Sequence, residues 1–222
     1  AGYGKAIYIT HPNGYTTVYG HLQKAVGAIQ DKIEELQYNS KNYEIEAYFK
    51  PNEIPVKKGQ IIALSGNTGG SEGPHLHFEF RDNKTEKIIN PLFFGFDLKD
   101  TKKPIVSSLL VYPIDANSIA NESKIPVSLN LSLQKDGTYF SEKVLATGRF
   151  GFGINTSDWD DVSYNANGTY KTQLISNGTP IFGYEYDQMV FEEARYVNAF
   201  IDYNRYKKTH QRVQKLFMKY TY

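Results

Sequence analysis

Two histidines separated by one residue, His75 and His77, sit in a short run with strand propensity, His75-Leu76-His77-Phe78-Glu79-Phe80, directly after a glycine-rich loop. In a strand, side chains at i and i+2 share a face, so the spacing predicts His75, His77 and Glu79 on one side, with Leu76, Phe78 and Phe80 facing the core. Imidazoles and carboxylates seldom enter a core without partners, so three such groups on one face of an aromatic strand point to proton transfer or metal binding rather than packing. His21 closes a second run, Thr17-Val18-Tyr19-Gly20-His21, in which the same period groups Thr17, Tyr19 and His21. If these two strands are neighbours, three imidazoles converge. The chain has no cysteine, which excludes disulfides and thiolate ligands and leaves metal chemistry to His and carboxylates.

The elements that must position these residues can be read locally. Ala6–Thr10 and Tyr15–Tyr19 are β-branched and aromatic runs flanking His11-Pro12-Asn13-Gly14, a strong hairpin signal. His11 lies on this hairpin and is expected to be structural or superficial. Leu22, Val26, Ile29, Ile33 and Leu36 recur four and three apart, predicting an amphipathic helix over 23–37. Its apolar stripe is expected to pack on the domain, although an insertion beside a site can also serve as a lid or docking surface. Residues 43–49 and 60–65 read as strands separated by the breaker-bounded Pro55-Val56-Lys57-Lys58-Gly59. Gly66, Gly69, Gly70 and Gly73 make a loop expected to let backbone approach a ligand closely.

Length and composition bound the rest. At 222 residues, with 40% hydrophobic and 14% aromatic residues, the chain is long enough for two folded domains. The polar, proline-ended stretch 99–104 reads as a linker between a first domain over 1–98 and a second over 105–222. Short strand-like runs punctuated by Asp136-Gly137, Asn167-Gly168 and Asn177-Gly178 predict an all-β, immunoglobulin-like sandwich for the second domain, its C-terminus expected to be incomplete. The final stretch, Arg205–Lys219, is read as a solvated surface segment in preference to a curtailed strand or helix. Net charge is +1, and residues 1–100 hold 11 Lys plus Arg against 12 Asp plus Glu, so nucleic acid is not an expected partner. No run approaches the roughly 18 apolar residues of a membrane-spanning helix, and no secretory signal opens the chain.

Five ordered elements resemble the lysostaphin-like (LytM-type) zinc metallopeptidases: Gly2-Tyr3-Gly4, Tyr19-Gly20-His21-Leu22, Lys58-Gly59-Gln60, Gly66-Asn67-Thr68-Gly69 and Gly73-Pro74-His75-Leu76-His77-Phe78-Glu79. The resemblance implies an antiparallel β metallopeptidase domain, Zn2+ as cofactor, His77 as a metal ligand, and His21 and His75 as catalytic groups. It implies peptidoglycan stem peptides or cross-links as substrate and a cell-envelope location, periplasmic or extracellular. The family supplies two further ligands, His and Asp spaced His-x-x-x-Asp, from before the Gly-Tyr-Gly turn at which this chain opens. The chain alone is therefore expected to hold an incomplete site, to bind zinc weakly and to be inactive by itself. The alternatives are a catalytically inactive relative that binds and activates a separate cell-wall hydrolase, and a β-rich peptide- or glycan-binding module in 105–222.

Overall fold

The computed structural model describes residues 2–218 and is mainly β, with antiparallel sheets and few helices. It divides into two compact units, Ala1–Pro91 and Leu92–Tyr222. Among the described residues, no helix is long and apolar enough to cross a membrane.

In the first unit, β1 (Ile7–Thr10) and β2 (Tyr15–Gly20) form the predicted hairpin, with Tyr8 opposite Val18 and Gly14 at φ 90° in the turn. β2 then pairs antiparallel with β5 (His77–Asp82), and β5 with β6 (Ile88–Ile89), giving the sheet order β1-β2-β5-β6. A second small sheet joins β3 (Leu22–Ala25) to β4 (Ala63–Ser65).

The predicted helix starts later than its apolar spacing suggests. Leu22–Ala25 is the strand β3, burying Leu22 and Ala25, and the helix α1 runs Ala28–Ser40. Gly27 at φ 58° turns the chain between the two, and Lys41 at φ 52° ends the helix by donating its N–H to the Gln37 and Tyr38 carbonyls. Leu22 thus fits a helical period by coincidence: its N–H donates 3.0 Å to the Lys5 carbonyl, its own carbonyl accepts 2.9 Å from the Thr68 hydroxyl, and its side chain is buried where β3 runs beside β4. None of the α1 residues is fully buried; Ile29, Ile33 and Leu36 are half-buried. The strand expected at 43–49 does not form. Tyr43 and Tyr48 stand 94% and 89% exposed there, and β-favouring residues make a strand only where a neighbour completes the ladder and a face is covered. Of the strand expected at 60–65, only β4 is regular.

The second unit is built on a four-stranded antiparallel sheet in the order Gln214–Lys215, Phe150–Ser157, Ile105–Pro113, Val127–Leu129. Alternation along Ile105–Pro113 sends Leu110 and Tyr112 into a cluster with Val213 and Phe217, and Val111 into another with Ala120 and Leu129. Asp136-Gly137 and Asn177-Gly178 do turn hairpins, Leu131–Leu133 to Tyr139–Ser141 and Lys171–Ser176 to Thr179–Glu185. Asn177 and Gly178 both take positive φ, as a two-residue hairpin turn demands.

The surface-segment reading of Arg205–Lys219 is overturned over its described part. Tyr203–Thr209 is a helix, Gln214–Lys215 is a sheet strand, and Val213 and Leu216 are 0% and 5% exposed. The interleaved Lys and Arg disguised the apolar residues that anchor this segment; Lys219 lies outside the described residues. Asp202 caps that helix by accepting from the Arg205 N–H, and it also accepts 2.9 Å from the Tyr112 hydroxyl. Burial, reinforced by this carboxylate, pushes the Tyr112 phenol pKa up, so the hydroxyl stays a donor. Tyr112→Phe is expected to cost about 1–2 kcal/mol in urea unfolding through loss of this charge-assisted bond.

Candidate active site

The β2–β5 pairing sets Gly20 opposite His77, and the chain bends at the next residue, His21. His21 takes φ 56°, a left-handed conformation that L side chains adopt rarely. Its N–H donates 2.8 Å to the Tyr3 carbonyl, holding the corner in place. A side chain at position 20 would put its Cβ 3.2 Å from both the His77 Cβ and the Tyr3 ring, so glycine here makes room for the groups around it. His75 joins the Gly66–Thr68 loop to the strand, its N–H donating 3.1 Å to the Gly66 carbonyl. The three sequence-predicted imidazoles therefore meet. His21 lies 4.7 Å from His75 and 5.6 Å from His77, centroid to centroid.

Their hydrogen bonds place the protons. His21 Nδ1 is 2.7 Å from the Thr68 carbonyl, and His75 Nδ1 is 2.8 Å from the Gly73 carbonyl with Ser71 Oγ at 3.2 Å. A carbonyl only accepts, so in the neutral rings both Nδ1 atoms carry the proton and both Nε2 atoms are bases. His77 is set the other way. Its Nε2 donates 2.5 Å to Glu79 Oε1, which in the neutral ring leaves Nδ1 as the unprotonated nitrogen.

Glu79 is the centre of a buried cluster. Oε1 also accepts from the Tyr3 hydroxyl at 2.5 Å, while Oε2 accepts from Arg81 Nε at 2.8 Å and from a second guanidinium nitrogen at 2.7 Å. The Arg81 guanidinium donates 3.1 Å to the Tyr3 oxygen and lies 5.3 Å from the centroid of the Tyr8 ring. Burial alone would push the Glu79 carboxyl pKa up, but the bonds from Tyr3, His77 and Arg81 outweigh it and hold it below the usual range. Burial and then Glu79 push the Tyr3 phenol up, so Tyr3 remains a donor.

The predicted alternation of faces holds, but its burial is reversed. Glu79 and Arg81 are 5% and 8% exposed, whereas Leu76 is 47% exposed and Phe78 and Phe80 are only half-buried. Charge pairing with a complete hydrogen-bond set makes the polar face the more enclosed one. Tyr3 and Arg81 were missed by the sequence reading. Period-two counting one step past Glu79 reaches Arg81, whereas nothing local signals Tyr3, 76 residues from its carboxylate partner.

The glycine loop also differs from its expected use. At Gly66 and Gly69 the closely approached group is the chain's own backbone: an added Cβ would lie 2.5 Å from Gln23 N and 2.3 Å from Gly4 N respectively. His11 is tied to the buried Thr17, with 2.8 Å between its Nε2 and the hydroxyl oxygen. Among the described residues, no group of three or more His, Asp and Glu side chains is arranged to hold a metal ion.

Residues 40–91, which include His75, His77 and Glu79, match peptidase family M23. Over this stretch the chain is similar to M23 (LytM-type) peptidases. That match starts beyond His21 and Tyr3, so the geometry above is what joins these two residues to the M23 strand. Relatives of the M23 domain include an uncharacterized metalloprotease of Haemophilus influenzae, 38% identical over 91 residues, 41% of this chain and 14% of that protein. The DD-carboxypeptidase/endopeptidase Mpg of Neisseria meningitidis serogroup B is 35% identical over 91 residues, 41% of this chain and 15% of the relative. Peptidoglycan DD-endopeptidase ShyC of Vibrio cholerae is 33% identical over 84 residues, 38% of this chain and 14% of the relative. In these comparisons the match thus spans about a seventh of each curated relative.

Proposed function

We propose that this M23 domain is the zinc-dependent endopeptidase part of a protein that hydrolyses peptide bonds in bacterial peptidoglycan, in stem peptides or cross-links, within the cell envelope. The observation that carries the reading is the meeting of His21, His75 and His77, with the proton on Nδ1 in the first two and on Nε2 in the third. The names of the Neisseria and Vibrio relatives, which specify endopeptidases, support the reaction class and, for the Vibrio protein, the substrate.

His77 suits a metal ligand because Glu79 fixes the Nε2 proton and leaves Nδ1 basic, the carboxylate–histidine arrangement common beside metals. It is one ligand of the three that a catalytic zinc ordinarily takes from protein. Among the described residues, no further His and Asp are grouped with His77 to complete the ligand set that the resemblance implies. Bound zinc would supply Lewis acidity, polarising the scissile carbonyl and bringing the pKa of a water to about 7.

The chain's own residues handle the proton. A neutral His21 or His75 can take a proton on Nε2, because its Nδ1–H is anchored to a backbone carbonyl and does not compete. The resulting imidazolium can pass that proton to the departing amine nitrogen or donate a hydrogen bond to developing negative charge. His21, 6% exposed and held by two backbone carbonyls, is the fixed partner; His75 is exposed on the approach side of the loop.

Purified peptidoglycan incubated with the full-length protein tests the reaction class. Peptide hydrolysis predicts new free amines and cross-linked dimers turned into monomers, with no new reducing sugar ends. New reducing ends without new amines would contradict it.

A further inference from the structure

We propose that Arg81 is a positioning residue: by occupying Glu79 Oε2 it fixes the carboxylate so that Oε1 keeps the His77 proton on Nε2 and leaves Nδ1 free for a metal. The metal half of this inference rests on the reading of His77 as a ligand. The proton half stands on the hydrogen-bond geometry alone.

The division of labour between the two carboxylate oxygens carries the argument. Arg81 offers two nitrogens to Oε2, at 2.8 and 2.7 Å, and a third contact at 3.1 Å to the Tyr3 oxygen. Tyr3 and His77 both reach Oε1, each at 2.5 Å. Arg81 has donors only, so whatever atom stands at the Oε2 position must be an acceptor. A guanidinium fork also fixes orientation as well as charge, which a lysine ammonium would not. The cluster is enclosed, with the Arg81 and Glu79 side chains 10% and 6% exposed, so water cannot readily substitute for a missing partner.

A conservative change separates positioning from bulk. In Glu79→Gln, Arg81 demands the amide oxygen at its side, which turns the amide NH2 toward His77. His77 Nε2 must then accept, and its proton moves to Nδ1. In the double variant Glu79→Gln/Arg81→Gln that demand disappears, the amide oxygen can turn back, and the Nε2 proton returns. A residue with a merely structural role would not restore a proton position when removed.

The test uses the 222-residue chain, metal-free and 15N-labelled, with long-range 1H–15N spectra of the imidazoles about two units above the ordinary histidine pKa of about 6.5. The expected spectra show His77 protonated on Nε2 in the native chain, on Nδ1 in Glu79→Gln and again on Nε2 in the double variant. His21 and His75 should stay protonated on Nδ1 throughout, which reports an intact fold. A native His77 protonated on Nδ1, or a Glu79→Gln chain still protonated on Nε2, overturns the proposal even if the double variant fails to fold. In the full-length protein, Glu79→Gln is expected to weaken zinc binding about 10- to 100-fold. A moved proton with unchanged zinc affinity would overturn the Nδ1 assignment while leaving the wall-peptide reading to be judged by its own products.

Discussion

His21→Asn in the full-length protein is expected to lower kcat for wall-peptide hydrolysis by about 10²- to 10⁴-fold, with much less effect on KM, the usual scale for a lost acid–base group. Asparagine is the informative replacement because residue 21 sits at φ 56°, where Asn is tolerated far better than other non-glycine residues. The backbone bond from residue 21 to the Tyr3 carbonyl is independent of the side chain, so the corner is kept while the base is removed. His21→Ala should lose the same activity and additional stability, about 1 kcal/mol, from the left-handed backbone. A His21→Asn protein within tenfold of the native kcat would remove His21 from the chemistry.

Gly69→Ala is expected to be the most disruptive single change in the first unit. Residue 69 takes φ 76°, and its added Cβ would fall 2.3 Å from Gly4 N, 2.7 Å from Gly4 Cα and 2.8 Å from the Gly2 carbonyl oxygen. Gly4 is in the reciprocal position, where a Cβ would lie 2.4 Å from the Thr68 carbonyl carbon. These obstacles are backbone, with no flexible side chain to yield, so the loop and the chain entering β1 must separate. Backbone strain of about 1–3 kcal/mol and overpacking of about 1–3 kcal/mol together predict a loss of roughly 2–6 kcal/mol. The same displacement carries away the Thr68 carbonyl that orients His21. Gly14→Ala is the control: φ is 90° there, but nothing lies within 4 Å of the added Cβ, so only the strain should be felt. Equal melting temperatures for the two variants would show that the Gly4–Gly69 approach is not what demands glycine.

Local rules carried much of the site. Period-two counting grouped His75 with His77, the Asn13-Gly14 turn set β1 against β2, and β2 against β5 then brought His21 to the pair. What escaped was set by distant partners. Leu22 fits a helical spacing but is taken by a strand that pairs with Ala63–Ser65, and Tyr43–Phe49 has β-favouring residues without a neighbouring strand to complete a ladder. The enclosure of Glu79 follows from Tyr3 and Arg81, of which one is 76 residues away. In the second unit, Asn177-Gly178 announced its hairpin, whereas Val213 and Leu216 were hidden among basic residues until the sheet claimed Gln214–Lys215.

The most direct test of the account is digestion of purified peptidoglycan by the full-length protein carrying His75→Ala together with His77→Ala. The account predicts that release of cross-link peptides falls to the no-enzyme background while the variant remains folded. Undiminished release would contradict it, and a variant without its own activity that still stimulated a separate wall hydrolase as well as the native protein would place the function in binding rather than catalysis.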